Sequence, residues 1–145
     1  MQVDPRGQRF GATVTSAVLI AVLVSGSWAI LAVQTAVFAI GTVFGLRYSP
    51  YGLVYRWLVR PRLGPPGQLE AEAPPRFSQG VGLGFALVGM VGFTWGIEWL
   101  GIAATALALG AAFLNAAFGF CLGCEMHLLI HRVFPKKRSN REVPA

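Results

Sequence analysis

Four long apolar runs, at about 10–24, 28–46, 77–96 and 100–120, fill most of this chain and are separated by turn-forming or basic stretches. A helix needs about 20 apolar residues to cross about 30 Å of hydrocarbon. Inside lipid only a helix or a closed barrel satisfies its own backbone. The pattern therefore predicts an all-α integral membrane protein with four transmembrane helices arranged as two hairpins. Composition agrees where it decides the matter. Only 12% of the residues are charged, against about 25% in soluble domains.

The joints between the runs set the expected boundaries. Asp4 followed by Pro5 is a helix start, an N-cap with proline in the first turn. Ser25, Gly26 and Ser27 break the first hairpin. A secretory signal ending at Ser27 is the rival reading, but the segment leads directly into another span. From 47 to 76 the chain is polar and proline-rich. Its first part, Ser49 to Leu63, mixes Leu53, Val54, Trp57, Leu58 and Val59 with Arg56, Arg60 and Arg62. That mixture suits a short helix lying in the headgroup plane. Its second part, Gly64 to Gly67 through Pro74 and Pro75, cannot continue a helix. Pro135 ends the last helical stretch, and Lys136, Lys137 and Arg138 open a charged tail. The expectation is one membrane domain over 1–145, with spans at about 8–25, 28–46, 77–96 and 100–121, a loop at 47–76 and a tail at 135–145.

All twelve Lys and Arg residues fall at the N-terminus, in the central loop or in the C-terminal tail. The turns around Gly26 and Glu98 have none. The positive-inside rule then places both termini and the central loop in the cytoplasm of a multi-pass cell-membrane protein. Trp28, Trp95 and Trp99 mark the outer interface, and Tyr48, Tyr51, Tyr55 and Trp57 the inner one. The net charge of +6 is explained by topology and anionic lipid headgroups, which excludes nucleic acid as the expected partner.

Cys121 and Cys124 are the only cysteines. On one continuous helix they are a turn apart and share a face. The spacing is common in redox dithiols, where a local field lowers one thiol's pKa. The bland alternative is a pair of small, soft packing residues. His127 and His131 follow, but a straight helix spreads the four groups over about 15 Å, too far for a zinc with bonds of about 2.0–2.3 Å. No metal and no resident cofactor are expected, and Glu125 stands where c-type haem attachment needs a histidine. Glu125 opposes thiolate formation, and Arg132 favours it.

Four glycine pairs, Gly41 with Gly45, Gly80 with Gly84, Gly92 with Gly96 and Gly119 with Gly123, have the spacing of close helix packing, either within the bundle or in a homodimer. Gly119 and Gly123 flank Cys121 and leave room for a partner or substrate. Asn115 and Gln34 lie within apolar runs, where a hydrogen bond between them would join the hairpins; either could also line a substrate path.

Arg9-Phe10, Ser49-Pro50-Tyr51-Gly52, Pro61 to Pro65, Pro74-Pro75-Arg76-Phe77 and above all Leu114 to Met126 resemble a group of small bacterial membrane proteins catalogued as domain of unknown function 4395. The resemblance covers nearly the whole chain. It departs at His127, where many members carry tyrosine, which takes any family-wide role from this histidine. The resemblance implies no settled activity. Its members' neighbours, thioredoxin-like proteins and rhodanese-type sulfurtransferases, imply a link to thiol redox or sulfane sulfur.

The leading expectation is a membrane-embedded dithiol protein in which Cys121 and Cys124 exchange electrons or sulfur with a cytoplasmic thioredoxin-like or rhodanese-like partner. Asn115, Gly119 and Gly123 would border the site, and Arg56, Arg60 and Arg62 would help dock the partner. A single pair cannot relay electrons across the membrane, but it can exchange with a soluble thiol protein, carry a persulfide or pass electrons to a membrane quinone. The alternatives are a transport component for a small sulfur anion, with Asn115, Gln34 and glycine-lined faces as its path, and a membrane scaffold with structural cysteines.

Overall fold

The computed structural model describes residues 2–64, 70–71 and 73–134. Residues 65–69 and 135–145, on which the Gly64–Gly67 and charged-tail expectations largely fall, lie outside the described residues. Pro74 and Pro75, expected in the loop, instead open the helix Ala73–Thr94, which starts at 73 rather than at the expected 77. Proline is tolerated there because the N–H groups of a first turn have no partner.

Helix α1 (Pro5–Ser25) starts where Asp4 and Pro5 indicate. The Asp4 carboxylate accepts the Arg6 backbone N–H at 2.9 Å, and Pro5 occupies the position where a missing N–H costs nothing. Gly26 ends the helix and α2 (Trp28–Val43) follows. A short 3-10 turn, Leu46–Tyr48, leads into α3 (Pro50–Val54), a π-helical segment (Tyr55–Val59) and α4 (Arg60–Leu63). Proline 61 accounts for the widened turn: its ring would clash with a carbonyl one turn back, and a π turn relieves that. Then come α5 (Ala73–Thr94), α6 (Glu98–Phe118) and α7 (Leu122–Val133). Two-residue strands β1 (Gln2–Val3) and β2 (Glu70–Ala71) pair antiparallel.

Among the described residues, α1, α5 and α6 are long and apolar enough to cross a membrane, and α2 is apolar but shorter, at 16 residues. The four form a ring. Helix α1 packs chiefly on α6, α2 on α5 and α5 on α6, while α1 and α2 touch less. Both tight turns lie at one end of the ring, with Trp28, Trp95 and Trp99 exposed around them. The segment 46–64, helix α7 and every described arginine lie toward the other end.

Leu19, Val22, Leu31, Phe38, Ala86 and Ala108 form the core, with Ile30, Leu83, Phe85 and Met90 against it. Ile20, Val33, Leu87 and Leu107 face outward. Because lipid tails are as apolar as leucine, such a core is held by close packing rather than by exclusion of water. The tightest crossing is between α5 and α6, where Gly92 meets the Gly101 backbone with no room for a Cβ.

Three of the four glycine pairs are not helix faces. Gly45, Gly96 and Gly119 have positive φ and serve turns, so one member of each pair leaves the helix. Gly80 and Gly84 both stay within α5, with Gly80 against Thr42 and Gly84 meeting nothing. The segment at 50–63 also differs from a helix lying wholly on the headgroups. Tyr55 is buried and Tyr51 half-buried, while Leu53, Val54, Trp57 and Leu58 stay exposed.

Candidate functional site

The cysteines do not continue the fourth long helix. Gly119, with φ 68°, caps α6, donating its N–H to Asn115 O at 3.0 Å, while Phe120 donates to Leu114 O at 3.3 Å. A residue with a Cβ is strained in this left-handed conformation, so glycine is the natural stop. The chain turns, and Cys121 becomes the extended N-cap of α7. Its Sγ accepts the Cys124 N–H at 3.2 Å. The thiols are therefore not two positions on one helix face, as continuous helix would make them. One precedes α7 and the other lies in its first turn.

Cys121 and Cys124 are joined by a disulfide, with Cα atoms 5.1 Å apart. Both are partly buried. Helix α7 is amphipathic and lies on α5: Gly123 is buried against Ser78, so close that a Cβ would overlap the Ser78 backbone. The space above Gly123 is thus taken by α5. The charges of α7 suit its dipole, with Glu125 in the first turn and His131 and Arg132 in the last.

Behind the disulfide, the half of the ring nearer α7 holds a partly open cavity of about 630 Å³. Small side chains line it, Gly11 and Ala12 on α1 and Ala111 and Ala112 on α6, while Gly7 and Gly82 make room for the Tyr55 and Phe38 rings. Phe38, Phe85 and Leu107 line its apolar part, and Gln8, Asn115, Ser78 and Gln79 bring polar groups. Cys121 is on the wall, and Cys124 is not among the lining residues. Arg47, Arg56 and Arg60 also line it, whereas Arg62 is exposed and off the wall. Asn115 and Gly123 share this wall, and exposed Gly119 lies beside it.

Two tyrosines close the cavity toward the loop. Tyr51 donates its hydroxyl hydrogen to Gln34 Oε1 at 2.5 Å, and Gln34 Nε2 lies 3.5 Å from Thr15 Oγ1. Gln34, fully buried, therefore joins α1, α2 and α3. A Gln34–Asn115 pair between the hairpins does not form, because Tyr51 enters the ring and takes the Gln34 carbonyl. Burial pushes the Tyr51 phenol above its ordinary pKa. Tyr55 donates to Asp4 Oδ2 at 3.0 Å, and Arg6 pairs with the same oxygen at 3.1 Å. Burial alone would raise the Asp4 carboxyl. The hydrogen bonds from Arg6 and Tyr55 and the Arg6 charge outweigh it and hold the carboxyl below its usual value. Tyr55 is raised, first by burial and then by the hydrogen bond and charge of Asp4.

The histidines stand apart. His127 Nε2 and His131 Nε2 approach to 3.1 Å, and the His127 ring packs on Phe77 with centroids 5.5 Å apart. Among the described residues no three of His, Cys, Asp and Glu gather to hold a metal.

Asp4, Gln8, Tyr51 and Tyr55 were not legible as cavity residues. A partial signal was present in the alanines at helical spacing on α6, Ala108, Ala111 and Ala112, which put little bulk on one face.

A family model described as a domain of unknown function (DUF4395) matches residues 3–132. No curated protein and no solved structure matches the chain.

Proposed function

The chain belongs to the DUF4395 family, and within it we propose that Cys121 and Cys124 are a redox-active pair that exchanges electrons or sulfur with a soluble thioredoxin-like or rhodanese-like protein. The observation that carries this reading is the disulfide whose Cys121 sulfur caps α7 and accepts the Cys124 N–H. A helix N-terminus stabilises negative charge, so Cys121 is the better leaving thiolate. A partner thiolate attacks Cys124, the Cys121–Cys124 bond breaks, and a mixed disulfide forms. The partner's second thiolate then attacks that bond and leaves the pair reduced and the partner oxidised. In the sulfur-transfer version the reduced Cys121 thiolate attacks the outer sulfur of a partner persulfide. A new S–S bond forms and the partner leaves as a thiolate.

In this reading α2 is a fourth span. Its 16 residues give about 24 Å at 1.5 Å per residue, and Phe44 to Leu46 extend it toward the arginine-bearing end. The clustering of the described arginines at that end supports a cytoplasmic location for it, and with it for the cysteines.

The test is trapping. A thioredoxin-like partner lacking its resolving cysteine should accumulate as a mixed disulfide on Cys124, and the adduct should vanish in Cys124→Ser. If no adduct or persulfide forms on either cysteine, the reading fails.

Arg47, Arg56 and Arg60 on the cavity wall favour a second reading, passage of a small sulfur anion. Thiosulfate uptake into proteoliposomes that survives replacement of both cysteines by serine would select it.

A further inference from the structure

We propose that the cavity behind Cys121 seats the ring of a lipid-soluble quinone, to which the reduced cysteine pair delivers its electrons. This rests on the redox reading above and names the pair's second substrate.

Three observations converge on it. First, the cavity of about 630 Å³ falls within the range of about 300–1,000 Å³ typical of small-molecule sites. Phe38 and Phe85 supply walls suited to a flat apolar ring.

Second, Gln8 lines the cavity, and its Nε2 is buried without a hydrogen-bond partner. An orphaned buried donor is costly, and a ligand carbonyl would satisfy it. A quinone ring carries two carbonyl acceptors and no donor. Asn115, also on the wall, has an amide that can serve the second carbonyl.

Third, Cys121 is on the cavity wall whereas Cys124 is not among its lining residues. The disulfide thus borders the cavity through Cys121, while Cys124 lies off its wall and is partly exposed. Three helices are long and apolar enough to sit in lipid, where such a quinone partitions.

The step balances without another reagent. Two S–H bonds break and one S–S bond forms between Cys121 and Cys124. The two electrons and two protons pass to the quinone, whose carbonyls become hydroxyls. The partner dithiol then reduces the new disulfide, so the net flow is from soluble dithiol to quinol.

The experiment uses the full chain in phosphatidylcholine nanodiscs, reduced with a dithiol and freed of it. The probe is a 1,4-benzoquinone substituted at every ring position, one substituent being a ten-carbon chain, so that the ring cannot be arylated by thiols. The expected result is one quinol per disulfide formed. In Gln8→Leu the half-saturating quinone concentration should rise about two- to tenfold, the worth of one net hydrogen bond, with the rate at saturation little changed. Ala111→Phe, which places a ring where the cavity wall carries only a methyl group, should raise it further.

If the reduced pair exchanges with a small soluble disulfide but leaves the quinone untouched, the quinone site is overturned and the redox reading stands. If it reacts with neither, both fall. Unchanged half-saturation in both variants, or protection of Cys121 from alkylation by thiosulfate but not by the quinone, also overturns the quinone site.

Discussion

Tyr55 donates its hydroxyl hydrogen to Asp4 across 3.0 Å, fastening the loop segment to the cap of the first helix. Arg6 completes the latch by bonding both Asp4 and the Gly64 carbonyl. Tyr55→Phe should cost about 0.5–1.5 kcal/mol, the net worth of one hydrogen bond. Asp4→Ala should cost more, because it also removes an N-cap worth about 0.5–2 kcal/mol. In a double-mutant cycle followed by thermal unfolding in detergent, the double mutant should lose less than the sum of the two single losses. Full additivity would mean that the bond contributes nothing.

Acid should open the same latch. The folded Asp4 carboxyl lies below its ordinary value, which for an unfolded chain is about 3.9. A depressed carboxylate contributes stability that is complete above the unfolded pKa and is lost as pH falls through the folded one. The stability gap between wild type and Asp4→Asn should therefore be constant from pH 7 to about pH 5 and shrink below about pH 4. A gap that widens on acidification would reverse the sign argued here.

The two thiols should differ once reduced. Cys121 caps α7 and faces its N-terminal amides, and a charge at a helix N-terminus gains about 0.3–1 kcal/mol. At pH 7 the Cys124→Ser variant, which keeps Cys121, should react with iodoacetamide about two- to fivefold faster than Cys121→Ser. Mass spectrometry of timed samples measures both rates. Equal rates would remove the helix N-terminus from the account.

Gly123→Ala tests how α7 is held. A Cβ there would strike the Ser78 backbone, and overpacking of this kind costs about 1–3 kcal/mol. Gly110→Ala is the control, since a Cβ at that helical position meets nothing within 4 Å. The control should be neutral or stabilising by up to about 1 kcal/mol. Gly123→Ala should also speed reduction of the disulfide by a small dithiol, because α7 lifts away from α5. If both variants melt alike, the contact is not tight in solution.

Hydropathy made the long helices legible, and Asp4 with Pro5 made the first boundary legible. The cysteine corner was hidden for a physical reason. Apolar residues run through Phe118, Phe120 and Leu122 with no polar break, so only Gly119 marks the stop, and a glycine at that spacing reads equally well as a helix-packing residue. The inward turn of Tyr51 and Tyr55 was hidden for a related reason. A tyrosine at a membrane surface can rest among headgroups or turn inward when a buried acceptor waits for it. Here the acceptors are Gln34 and Asp4, more than fifteen residues away in the chain, beyond the reach of any local pattern.

The first long helix finds its main neighbour in the last one. A ring closed this way has consequences for biogenesis. As the chain leaves the ribosome, α1 is complete well before α6 exists, and the face that it packs on α6 has no partner helix until α6 arrives. The chamber behind the cysteines thus has no wall until the final span is inserted, and a chain stalled before residue 98 would hold neither the chamber nor the thiols.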